Sequence, residues 1–146
     1  MLILVFAATA AARDLTTCDF SRRSDLVGRI ISVSARIGFT MHGAYLLSDS
    51  CAGRAEGAAL LFPKDTGTPP VSFEIDPGAL TSLSPFFRLT GGAATACGVL
   101  RGQLVAKNRF HLRQAGAAPV GNGFGSRGAF RYAFILQSVT DVRSCE

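Results

Sequence analysis

The chain has 146 residues, of which 48% are hydrophobic and 17% charged, with a formal net charge of +5. That length is one domain's worth and is enough to bury a core without outside help. No internal repeat or low-complexity tract is present, which excludes a solenoid. The basic residues are mostly single arginines scattered from Arg13 to Arg143, not basic blocks. A balance of this size fits an anionic partner, and it fits ordinary solubility equally well.

Residues 1–12 form an uncharged apolar run ending in small side chains, followed by Arg13 and Asp14. Such a run reads as a signal-peptide core, with cleavage expected after Ala10 or Ala12. It is shorter than the roughly 20 apolar residues a spanning helix needs, and no later stretch approaches that length. Residues 13–146 are therefore expected to be a single domain with no transmembrane segment, periplasmic or secreted after cleavage.

From Cys18 to Val27 the pattern reads as a short helix or turn. Ile31, Val33, Ala35 and Ile37 then alternate with Ser32, Ser34 and Arg36. Period two with β-branched residues predicts a half-buried strand between Gly28 and Gly38. A second strand is expected over 42–47, closed by the polar cluster 48–53. Residues 58–62, bounded by Gly57 and Pro63, predict a short buried strand. Residues 64–72 are turn-rich, and Pro69-Pro70 cannot be mid-strand. Residues 73–75 suit a brief strand. Asp76 and Pro77 suit the cap and first position of a short helix running to Leu83.

A fourth strand is predicted over 96–106, with Gly98 and Gly102 inside it marking a bulge or strong curvature. A long glycine-rich connection follows, from 108 to 128. Tyr132, Phe134 and Leu136 then alternate with Arg131, Ala133 and Gln137 in a last strand over 130–142. Five strands, with a short helix between the third and fourth, predict a mainly β fold: an OB-like, partly open five-stranded barrel. An immunoglobulin-like sandwich would need about seven strands.

The four cysteines, Cys18, Cys51, Cys97 and Cys145, are an even set in a chain that reads as exported. Disulfides suit that compartment. There is no C-x-x-C pair, and His42 and His111 are the only histidines, so a metal cluster is not expected. Four cysteines permit three pairings, and sequence does not choose among them. The expected pairing is Cys18–Cys51, joining the N-terminal segment to the loop after the second strand, and Cys97–Cys145, tying the C-terminus to a central strand. A rival reading makes Cys18 a lipid-attachment site, but Arg13 and Asp14 interrupt the apolar run before it.

Two stretches carry a family resemblance. Leu26-Val-Gly-Arg-Ile-Ile-Ser-Val-Ser-Ala35, continued by Met41-His-Gly-Ala-Tyr-Leu-Leu-Ser-Asp-Ser-Cys51, resembles the first hairpin of small exported bacterial proteins with an OB-fold-like barrel and no assigned function. Gly123-Phe-Gly-Ser-Arg-Gly-Ala-Phe130 is similar to their segment before the final strand, with Ser126 where they commonly carry histidine. The resemblance implies an OB-like barrel and an N-terminal cysteine paired with Cys51. It says little about chemistry.

The run 123–128 also matches G-x-G-x-x-G, but a dinucleotide fingerprint must open a helix. Here it leads into a strand, so no nucleotide cofactor is expected. His42 has no acid–base constellation in sequence, though Asp49 is a nearby carboxylate; a hydrolase using His42 is the least favoured reading. No nucleophile elbow and no paired-acid signature is present. Arg36, His42, Tyr45, Arg101, Arg127 and Arg131 are the candidate binding surface. Without tryptophan, and in an exported protein, this set argues against an oligonucleotide partner. The expected function is a binding module of the bacterial envelope. Its ligand, an envelope protein or an anionic molecule, would be met at the barrel mouth between the loops 38–44 and 115–128. The alternative is a structural or assembly protein of the envelope.

Overall fold

The computed structural model describes residues 14–40, 43–48, 57–65, 71–87, 94–107, 124–125 and 128–145. The expected signal segment and its cleavage sites therefore lie outside the described residues, as do His42, Cys51 and Arg127. Five strands are described: β1 (Ile30–Thr40), β2 (Gly43–Leu47), β3 (Ala58–Leu61), β4 (Ala94–Ala106) and β5 (Tyr132–Ser144). One helix, α1 (Pro77–Leu83), lies between β3 and β4. Among the described residues no helix is long and apolar enough to cross a membrane.

The strands close into a barrel in the order β1-β2-β3-β5-β4, with β4 returning to β1. All pairings are antiparallel except β3 with β5, which is parallel. The sequence leads one to expect a partly open barrel, but the ladder runs all the way round. The long β4 spans the gap, pairing with β1 along ten positions from Ile30–Gln103 to Phe39–Ala94 and with β5 along its other edge. Gly102 permits the approach of β5, because a Cβ there would run into the carbonyl oxygen of Ile135. The β4–β5 register slips between Cys97 and Val99 and again between Arg101 and Gly102, at the two glycines that mark bulges in the sequence.

Alternation sends Ile31, Val33, Ala35, Ile37 and Phe39 of β1 into the barrel. Leu46, Leu60, Leu100, Leu104, Phe134 and Leu136 meet them from the other strands. Each fully buried side chain of this size contributes about 1.5–3 kcal/mol. Ala79 and Leu83 of α1 pack into the same core. The helix starts as the sequence predicts: the Asp76 carboxylate accepts from the Gly78 N–H at 3.0 Å, with Pro77 at the first position. It stops where Pro85 has no N–H to offer the Thr81 carbonyl, which accepts from the Ser84 hydroxyl at 2.9 Å instead.

One expectation needs correction. Residues 73–75 are not a strand. They run beside β5 with one backbone bond in place, Asp76 N–H to the Gln137 carbonyl at 2.7 Å. In β5, Ala133, Phe134, Ile135 and Leu136 are all buried, on both faces of the strand. A second, outer cluster explains this: Ala133 and Ile135 pack with Ala59, Val105 and Phe124 on the outside of the wall, under Phe130, Val71 and Phe73.

Cys97 and Cys145, separated by 48 positions in sequence, form a disulfide with Cα atoms 5.2 Å apart. A closed loop of that length removes about 4 kcal/mol of chain entropy from the unfolded state. Cys18 is buried and is not a free thiol. Its expected partner, Cys51, lies outside the described residues.

Candidate functional site

Among the described residues, those singled out in the sequence do not converge on one patch. Tyr45 points outward from β2, opposite Gly38 of β1, and its ring lies where a Cβ on Gly38 would be. It stacks on Phe130 with ring centroids 6.0 Å apart and planes at 21°. Phe130 is held in turn by a two-bond bridge to Phe124, at 2.6 and 3.0 Å. Gly125 (φ 76°) and Gly128 (φ 65°) turn the chain between them in conformations that disfavour other residues. The described part of the G-x-G-x-x-G match, Phe124, Gly125 and Gly128, thus folds back onto Phe130 and feeds the strand β5. Arg131 is exposed just after Phe130. Arg101 is exposed on β4 and donates to the Gln137 side chain at 3.2 Å. It sits four residues from Cys97, about 13 Å along the strand. Elsewhere, Arg23 pairs with Asp25 at 2.7 Å. The hydrogen bond from Arg23 holds the Asp25 carboxyl below its ordinary pKa, but the pair is open to solvent and screened.

Arg36 is different, because it belongs to a cross-strand row. It pairs with Leu47 of β2 on one side and Cys97 of β4 on the other, and Cys97 pairs with Arg143 of β5. Arg36, Cys97 and Arg143 thus stand side by side on the outer wall. The two arginine Cα atoms are two strand spacings apart, about 10 Å. The row borders a cleft of about 760 Å³ lined by Arg36, Arg143, Asp141, Ser34, Ser48 and Thr16 over a floor that includes Val99 and Val142. That volume is typical of a small-molecule site.

Local structure builds each wall. On one side β2 ends at Leu47, and the N-terminal segment takes over the edge of β1 that β2 leaves. Leu15 pairs with Val33, and the Ser34 N–H donates to the Leu15 carbonyl at 2.9 Å. Ser48 pins this segment: its hydroxyl accepts from the Thr17 N–H at 3.1 Å and donates to the Ser34 carbonyl at 3.3 Å. On the other side, Asp141 and Val142 together face Gly98, between the pairs Val99–Thr140 and Cys97–Arg143. Asp141 has φ 55°, the one left-handed residue other than glycine among those described. This bulge inserts a residue and so reverses the in–out order of the strand. Thr140 and Arg143 both face outward because of it; unbroken alternation would put Arg143 inside.

Sequence reading found Arg36 but missed Arg143, Asp141, Ser34 and Ser48. One signal was available for Arg143. It lies two residues before Cys145 in a strand, so the expected Cys97–Cys145 bond brings it close to Cys97. The pairing of Arg36 with Cys97 is a long-range register that no local pattern carries.

A second groove of about 640 Å³ runs between α1 and the turn after β3. It is lined by Phe62, Pro63, Ile75, Leu80 and Phe87, with Lys64 and Glu74 at its rim. Leu80 and Phe87 are 41% and 40% exposed. Among the described residues no cluster of histidine, cysteine or carboxylate side chains is placed to hold a metal. No family model, curated protein or solved structure matches the chain.

Proposed function

We propose that this chain is an exported binding module of the bacterial envelope, built on an OB-type barrel, as the resemblance in its first hairpin implies. The strand order, with β3 parallel to β5 and β4 closing on β1, supports the OB-type reading. The Cys97–Cys145 bond supports an oxidising compartment. The observation that carries the binding role is the cleft on the outer wall between Arg36 and Arg143. The ligand surface is therefore moved from the barrel mouth to the neighbouring wall. The described part of the glycine-rich connection favours this shift, since Phe130 occupies the face of Tyr45. That same stack counts against an oligonucleotide partner, which would need the aromatic face of β2 open.

The test uses protein recovered from its own cells. It is expected in the fraction released by osmotic shock, beginning at Ala11 or Arg13, with Cys18 joined to Cys51. Added small-molecule extract of the envelope is expected to move the amide resonances of Ser34, Gly98, Val99 and Val142. Cytoplasmic protein with an intact N-terminus would overturn the export reading; silence of those amides would overturn the binding reading. The second reading, a structural or assembly protein, is favoured by the apolar groove beside α1, where Leu80 and Phe87 stand exposed.

A further inference from the structure

We infer that the groove beside α1 is the face by which two copies of this chain pair about a two-fold axis, a role that goes beyond the ligand reading of the wall cleft. Among the described residues three large apolar side chains stand exposed, Ile30, Leu80 and Phe87, and two of the three lie at this groove. Phe62 and Ile75 line it as well and also pack against the barrel core. Phe87 is held by an edge-to-face contact with Phe39 of β1, ring centroids 5.0 Å apart. The apolar surface is therefore fixed in place before any partner arrives. From Pro77 to Phe87 the sequence carries no charge, and Leu80, Thr81, Ser82, Ser84 and Pro85 of that stretch are exposed. Depletion of charge around aliphatic and aromatic anchors marks the centre of a protein–protein contact.

The charges at the groove identify the occupant as a second copy. Lys64 and Glu74 both line it and are both exposed, and among the described residues neither has an ion-pair partner. One cation and one anion make the patch its own complement. A two-fold axis lying in the contact plane, midway between them, sets Lys64 of each copy against Glu74 of the other. Two bridges then form from one pair of residues, and the apolar side chains of both copies close away from water. The net charge of +5 makes copies repel at long range, so self-association needs a face that is locally neutral. Lys64 and Glu74 cancel, and the uncharged stretch from Pro77 to Phe87 adds nothing to either sign.

The test is analytical ultracentrifugation of the full protein, disulfide intact, across a wide range of concentration at low salt. A concentration-dependent dimer is expected. Lys64→Glu and Glu74→Lys should each weaken it about tenfold, since like charges then meet twice. Mixed in equal amounts, these two variants should dimerise as tightly as the parent, because both contacts between them again join opposite charges. High salt should remove that recovery. Leu80→Asp should abolish the dimer. Ile30→Asp should leave it intact, because Ile30 stands at the far end of β1 from Phe39 and the groove. All four positions are exposed, so the variants are expected to fold. A parent that stays monomeric at every concentration overturns the inference, as do charge variants that dimerise like the parent or a mixture that stays monomeric. A monomeric parent whose Phe87 ring resonances shift with added n-octanol also overturns it and gives the groove to a small apolar ligand. The amides of Ser34, Gly98, Val99 and Val142 report on the wall cleft separately, so the binding-module reading stands or falls by its own test.

Discussion

Gly102→Ala isolates the cost of closing the barrel. The added methyl would collide with the Ile135 carbonyl oxygen and sit 2.7 Å from Phe134 Cε1 and 3.0 Å from the Ile135 carbonyl carbon. The nearest obstacle is backbone in a paired strand, so it cannot swing aside as a side-chain tip would. Overpacking of this kind costs about 1–3 kcal/mol. Weakening a neighbouring ladder bond adds about 1 kcal/mol. The unfolded chain, made stiffer by alanine, returns about 0.4–1 kcal/mol. The net expectation is about 2–3 kcal/mol of lost stability, which for a domain this size lowers the melting temperature by roughly 10 °C. Urea unfolding should show the midpoint falling with an unchanged slope. Gly28→Ala is the comparison. Gly28 has φ 87° and no atom within 4 Å of an added Cβ, so its cost, about 1 kcal/mol, is conformational alone. A Gly102→Ala protein as stable as the parent would refute the close approach of β4 and β5 at this bulge.

Three other perturbations have defined outcomes. Replacing Cys97 and Cys145 together by alanine should cost about 4 kcal/mol in urea unfolding, and a loss under about 1 kcal/mol would show that chain entropy is not what the bond supplies. Asp76→Ala removes the bond to the Gly78 N–H and should cost about 1 kcal/mol, recovered largely by Asp76→Ser. Tyr45→Ala removes the stack on Phe130 and uncovers Gly38; the half-buried ring makes a loss of about 1–2 kcal/mol the expected thermal-unfolding result, with faster hydrogen exchange at the Phe130 amide.

Much of the barrel is legible from local pattern. The alternation in β1, the Asp76-Pro77 start of α1 and the two glycines of β4 each follow from short-range chemistry, and each appears where the sequence puts it. The disulfide Cys97–Cys145 also follows, once β4 and the C-terminus are taken as neighbours. What the sequence hides is parity and register. Asp141 looks like an ordinary strand residue, yet its bulge turns Arg143 from an inner position to an outer one. Phe73 and Ile75 look like a strand, yet they cover other elements and pair only through Asp76. Arg36, Tyr45, Arg101 and Arg131 share chemistry as letters, but β1–β4 pairing sends Arg36 to the cleft and leaves Arg101 about 13 Å along the wall.

The parallel pairing of β3 with β5 has a consequence for the order of assembly. Ala58–Leu61 find their outer neighbour only in Tyr132–Ile135, more than seventy residues later in the chain. β4 likewise needs β5 along its second edge, and Cys97 needs Cys145, next to the C-terminal residue. No early segment can therefore complete the barrel, and its long-range pairings make folding slow. A chain of this design stays open until its last strand is available. Shape and covalent lock are therefore acquired together, once β5 takes its place between β3 and β4.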